Sequence, residues 1–286
     1  MKKIELVKGI HSSVLGFGCA PILGSAGAAK AKRALEVAIE CGINHFDLAR
    51  SYGYGDAEKF VGKAIKGKRE RIVLASKFGI KANFKARALR PVKPLARYVI
   101  DKIKTKNRTE SIVLKPSGGA VSQIADNFHY RIALNGKEMR KSLEQSLKEL
   151  STDYLDYFFI HEPLTTIEHI DELMLTAEVL KKEGKIRAWG LAFMRHQQHL
   201  HQAYLKHFDI LQFDNSPGAY SYNEIVESRG KESNIIFSPL RGGSNDLKPA
   251  EKLLTLAKDF SNSVILCSMF NEQHMRSNAA LFDSTI

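Results

Sequence analysis

Four side chains in this sequence form a chemically coherent set: Asp47, Tyr52, Lys77 and His161. A tyrosine hydroxyl has a pKa near ~10 and is a sluggish acid–base group at neutral pH. A neighbouring ammonium stabilises the phenolate and lowers that pKa. A carboxylate beside the lysine keeps it charged and in place, and a histidine can hydrogen-bond and orient the reacting oxygen. Together they make a tyrosine into a general acid for a carbonyl oxygen. Taken singly, each residue has a plainer reading. Asp47 could be a helix cap or a core ion partner, and Lys77 a snorkelling lysine. His161, before Glu162-Pro163, could be a satisfied turn histidine, and Tyr52 could pack beside its glycines.

The elements that carry these residues favour the joint reading. Short apolar runs cover 14–19, 43–47, 72–76, 154–160, 186–191, 210–213, 235–238 and 264–267. Segments of helical period follow them at 30–41, 56–65, 137–150, 167–183, 195–206, 221–229, 249–260 and 272–280. The strand runs lack clean alternation, as parallel strands covered on both faces should. Eight strand–helix units in 286 residues predict a (β/α)8 TIM barrel. We expect one domain over 1–286, with an insertion at about 81–131 after the third strand. In such barrels the active site lies at the C-terminal strand ends. Asp47 ends the second run, Lys77 the third and His161 the fourth, with Tyr52 in the loop after the second.

At these residues the sequence resembles the aldo-keto reductase family. Asp47-Leu48-Ala49-Arg50-Ser51-Tyr52-Gly53, with Glu58 and Gly62 following, is similar to that family's aspartate–tyrosine segment. Ile72–Lys77 resembles its lysine strand, Ile160-His161-Glu162-Pro163 its histidine strand, and Gly184–Gly190 its fifth strand. The resemblance implies that Tyr52 protonates the carbonyl oxygen, Lys77 lowers the Tyr52 pKa, Asp47 pairs with Lys77, and His161 orients the substrate. It implies hydride delivery from a nicotinamide, NADPH being usual and NADH not excluded. Gln212 would contact the carboxamide and Phe237 would stack on the ring. The loop from Phe237 through Ser238, Pro239, Leu240, Arg241, Gly242 and Gly243 would follow the pyrophosphate, and Asn278 would sit near adenine. Two departures stand out. Ala192-Phe193 replaces the usual Ser-Asn, and the 268–277 stretch lacks the expected Lys and Arg for a 2′-phosphate, His274 falling where an arginine often sits and Arg276 substituting only if the geometry allows. Gly16-x-Gly18 has Pro21 where a dinucleotide fingerprint needs a third glycine, and reads as a tight strand-end turn.

The formal charge of +12 is unevenly spread: residues 81–131 hold twelve Lys or Arg against three acids, leaving only +3 elsewhere. Residues 94–106 are expected to form a basic amphipathic helix, with a turn at Pro116, Gly118 and Gly119. As a lid, the segment would favour acidic or phosphorylated substrates; as a solvated excursion, it would do nothing catalytic. Its few aromatics show no stacking pattern, so nucleic acid is not an expected partner. No run approaches the roughly 18 apolar residues of a membrane span. The three cysteines, Cys19, Cys41 and Cys267, fit neither a disulfide framework nor a metal site, so a reducing, cytoplasmic setting is expected. A small-molecule carbonyl substrate, no metal, and a monomer or weak oligomer complete the expectation. Two other readings remain at this point: a cofactor-binding regulatory or scaffold protein with the same barrel, and an aldolase using Lys77 as a Schiff base.

Overall fold

The computed structural model describes residues 1–83 and 129–283. Eight parallel strands close into a barrel: β3 (Leu15–Gly18), β4 (His45–Asp47), β5 (Val73–Phe78), β8 (Leu155–His161), β9 (Ile186–Phe193), β10 (Ile210–Asp214), β11 (Asn234–Phe237) and β12 (Ser263–Cys267), with β12 pairing back onto β3. β5, β8 and β12 are buried along their whole length, which explains their unbroken apolar runs. The helices lie outside: α1 (Ala28–Glu40), α2 (Ala57–Ala64), α3 (Gly136–Leu150), α4 (Ile170–Lys182), α5 (Gln198–His201), α6 (Tyr222–Arg229), α7 (Pro249–Asp259) and α8 (Glu272–Ala280). α1 turns Ala31, Ala34, Leu35, Val37 and Ala38 inward. Burying one leucine of that kind contributes roughly 1.5–3 kcal/mol. α3 starts where Asn135 Oδ1 accepts from the Glu138 amide at 2.9 Å, and stops where Ser151 turns left-handed at φ 53°.

The fold is the expected (β/α)8 barrel, with three local corrections. Residues before the first expected strand run form an antiparallel hairpin of β1 (Lys3–Val7) and β2 (Ile10–Ser13), which the strand count did not include. Its polar groups meet the start of β4: the Ser13 amide donates to Asn44 Oδ1 at 2.6 Å, and Ser12 Oγ lies 3.1 Å from His45 Nδ1. The helix expected over 195–206 is broken into a 3-10 turn, the one-turn α5 and a second 3-10 segment. His201 and Tyr204 are both buried there and hydrogen-bonded at 2.7 Å, and Tyr204 Oη also accepts from the Ile167 amide. Histidine-rich sequence has little intrinsic helicity to resist those anchors. Gly16 and Gly18 form no turn. They lie within β3, where a Cβ on Gly16 would fall 2.6 Å from Leu266 and one on Gly18 2.8 Å from Ser268 Oγ.

A short ladder stands on the rim. β6 (Ile80–Ala82) pairs antiparallel with β7 (His129–Arg131), Ala82 opposite His129. The basic segment leaves and returns through this ladder. The amphipathic helix expected at 94–106 and the turn at 116–119 lie outside the described residues.

Candidate active site

β4, β5, β8 and β10 deliver Asp47, Lys77, His161 and Gln212 to the same end of the barrel, and the loop after β4 brings Tyr52 over them. Lys77 Nζ donates to Asp47 Oδ2 at 2.6 Å and to the Leu48 carbonyl at 2.8 Å, and lies 3.5 Å from Tyr52 Oη. Gln212 Nε2 donates to Asp47 Oδ1 at 2.9 Å. The His161 ring meets the Tyr52 ring edge-on, centroids 5.9 Å apart. All four residues proposed from the sequence are therefore neighbours. An ion pair this deep is held by its added hydrogen bonds, since two unassisted buried charges would not recover their lost hydration.

The electrostatics differ from the sequence expectation at Tyr52. Burial, and then the Asp47 carboxylate, push its hydroxyl well above the usual tyrosine range. The Lys77 ammonium is turned toward Asp47 and Leu48 at shorter range than toward Tyr52, so it does not produce the lowering expected of it. His161 is held well below the ordinary imidazole range by burial, with Lys77 and Arg131 adding to the effect. It is neutral at pH 7, and its Nδ1 is buried without a partner among the described residues. His45, beneath the site, is lowered to about 3 by burial and by Lys77.

The cavity above these groups has a volume of about 420 Å³, within the range of small-molecule sites. Gln212, Phe237, Ser238, Pro239, Leu240 and Asn278 all line it, whereas Gly242 sits just past that wall at φ 72°. Ser238 is also left-handed, at φ 55°, and its carbonyl accepts from the Arg241 amide at 3.0 Å. Asn278 Nδ2 is 3.4 Å from Met269 Sδ. Ala192 lines the cavity, while Phe193 packs on Phe213 at 5.9 Å. Arg276 is paired with Glu40 at 2.6 Å and Glu272 at 2.8 Å, so salt bridges already engage it.

Sequence reasoning missed two parts of the site. Glu162 was read only as part of a turn, yet its side chain lines the cavity beside Tyr52 and Lys77. The signal was present, because it follows His161 at a strand end. Behind the Tyr52 loop, Arg50 pairs with Glu58 in a buried ion pair, and Ser76 Oγ donates to Glu58 at 2.6 Å. A glutamate sharing the apolar face of α2 with Val61 and Gly62 was the available clue.

Comparison with known proteins agrees with this architecture. The Aldo/keto reductase family model matches residues 14–217. The aldo-keto reductase YhdN of Bacillus subtilis is 31% identical over 195 residues, 64% of this chain and 44% of that protein. The NADH-specific methylglyoxal reductase of Escherichia coli is 29% identical over 157 residues, 53% of this chain and 37% of that protein. The chain thus spans half the length or less of these curated relatives. Among solved structures, the holo form of aldo-keto reductase AKR11C1 from Bacillus halodurans superposes with a TM-score of 0.67 at 25% identity, covering 100% of this chain and 92% of that one. An aldo-keto reductase from Klebsiella pneumoniae in complex with NADPH gives 0.63 at 19% identity, with 100% and 90% covered. With its barrel closed and the family model matched over more than half its length, this chain belongs to the aldo/keto reductase family of oxidoreductases.

Proposed function

We propose that this protein is an NAD(P)H-dependent reductase of small aldehydes or ketones, with Tyr52 as the general acid. The observation that carries the reading is the convergence of Tyr52 and Lys77 on one cavity floored by the Asp47–Lys77–Gln212 chain, with His161 edge-on against Tyr52. The residues present fit a nicotinamide cofactor. Gln212 Oε1 and Asn215 Nδ2 are buried polar atoms without partners among the described residues, and Phe237 offers a half-buried ring to the cavity. Asp47, Gln212, Phe237, Ser238, Pro239, Leu240, Gly242 and Asn278 would hold it. When bound, it supplies the hydride that adds to the carbonyl carbon.

This chain's own groups manage the proton. Burial keeps Tyr52 protonated, so it carries its proton until negative charge develops on the substrate oxygen. Lys77, fixed by Asp47 and the Leu48 carbonyl, then faces the phenolate left behind. Neutral His161 hydrogen-bonds the same oxygen without adding a charge. NADPH is the first cofactor to test and NADH the second, because the relatives named above include one of each kind. We place the protein in the cytoplasm as a monomer or weak oligomer in one domain, acting on a small-molecule carbonyl. Ala192 and Phe193 favour a second reading, a barrel that binds cofactor without turnover, because neither side chain offers a polar contact.

Titration with NADPH and NADH, followed by fluorescence of the lone tryptophan, Trp189 on β9, tests binding first. Tyr52→Phe tests the chemistry. It should bind cofactor as the wild type does and lose at least about 100-fold in kcat. Near-normal turnover would remove Tyr52 from the reaction, and absence of binding for both nucleotides would remove the reductase reading.

A further inference from the structure

Glu162 is built into the rim in an unusual way. Its backbone is left-handed at φ 45°, a conformation that residues with a Cβ seldom adopt unless their surroundings impose it. Two contacts impose it here. Its amide donates to the Ala192 carbonyl at 2.7 Å, and its carbonyl accepts from Arg131 Nη1, on the rim ladder, at 2.5 Å. The result points the carboxylate into the cavity, with Oε1 4.0 Å from His161 Nε2. The side chain stays 34% exposed, so it is reached from the cavity mouth rather than sealed in the core. Burial, Asp214 and Asp47 raise its pKa, while Lys77 and Arg131 oppose them.

We propose that Glu162 selects the substrate, accepting a hydrogen bond from a hydroxyl on the carbon next to the carbonyl and repelling a carboxylate at the same place. The class favoured is the α-hydroxy aldehyde, and the class rejected is the α-oxo acid. This rests on the reductase reading. An oxygen held by Tyr52 and His161 lies about one hydrogen bond from His161, and Glu162 Oε1 is 4.0 Å from that imidazole. A substituent one carbon away therefore comes within its reach. His161 is neutral and offers an anion no compensating charge. Ala192, small and apolar, offers no donor on that wall.

The test uses glycolaldehyde, acetaldehyde and glyoxylate, three two-carbon aldehydes differing in one substituent. In Glu162→Gln, kcat/KM for glycolaldehyde relative to acetaldehyde should fall about tenfold, the gap between a charged and a neutral acceptor. The ratio for glyoxylate to acetaldehyde should rise at least tenfold. Ratios within twofold of wild type would overturn the proposal. So would a wild-type protein that binds nicotinamide and reduces none of the three. A wild-type protein that binds neither nucleotide refutes the reductase reading instead. Glyoxylate affinity by calorimetry then decides for Glu162: tenfold tighter binding to Glu162→Gln supports selection, and equal affinity overturns it.

Discussion

Removing either partner of the Asp47–Lys77 pair should cost as much stability as removing both. Both side chains are almost fully buried, and Lys77 Nζ spends its two short hydrogen bonds on Asp47 and the Leu48 carbonyl. Asp47→Asn leaves an ammonium out of water with only neutral acceptors, and Lys77→Met leaves a carboxylate with one amide donor, from Gln212. Each single change should cost about 3 kcal/mol, the lower end for orphaning a buried charge. In a chain of this size that lowers Tm by roughly 6 °C. The double variant leaves neither charge, so it should cost about as much as one single change, giving a coupling of about 3 kcal/mol. Urea unfolding of the four proteins, followed by circular dichroism, measures the cycle. Single costs that add to within about 0.5 kcal/mol in the double variant would show that the two charges do not compensate each other, and the floor of the site would need another account. Activity should be low in all three variants, so stability is the quantity that discriminates.

Two further perturbations follow from described contacts. Below pH 6.5 the unfolded chain protonates His45, while the folded protein resists until about 3, so the stability owed to neutral His45 is complete above pH 6.5 and drains away as pH falls toward 3. At pH 5 the deficit is about 2 kcal/mol, and His45→Asn should flatten stability against pH between 7 and 5; an unchanged slope would assign it to other groups. Gly243→Ala would place a Cβ 2.1 Å from the Pro217 carbonyl oxygen and 2.6 Å from Ser216 Oγ, whose hydroxyl donates to the Pro239 carbonyl at 2.7 Å. It should displace the loop after β11 and weaken nucleotide binding at least tenfold, and an unaltered Kd would take that loop out of the cofactor site.

Much of the barrel was legible because each strand is an apolar run too short for a helix, and each helix carries its own period. Seven of the eight helical segments were found within a few residues of their ends. The eighth, at 195–206, failed because long-range anchors on His201 and Tyr204 set its path, and neither anchor has a local signature. The N-terminal hairpin was hidden because Glu5, Lys8 and His11 broke the apolar run, although Ile4, Leu6 and Ile10 alternate as a half-buried strand should. The cluster around Tyr52 was readable because barrel topology converts distance in sequence into adjacency at strand ends. The direction of the Tyr52 shift was not readable, because it depends on which neighbour the Lys77 ammonium faces and how much water is excluded. Glu162 had its position after His161 at a strand end as a signal, but its turn into the cavity follows from a left-handed backbone that no residue type announces.

The rim ladder makes the basic segment an exchangeable cassette. Ala82 and His129 face each other across an antiparallel pair, so the chain leaves the barrel and rejoins it at one doorway. Closing that doorway over residues 83–128 or over a four-residue turn differs by only about 2 kcal/mol of loop entropy, in favour of the shorter chain. Chain entropy therefore places little constraint on the length of the segment between these junctions. A change in its length is met at a single pair of junctions, Ala82 and His129, while Lys77 and His161 stay fixed on β5 and β8.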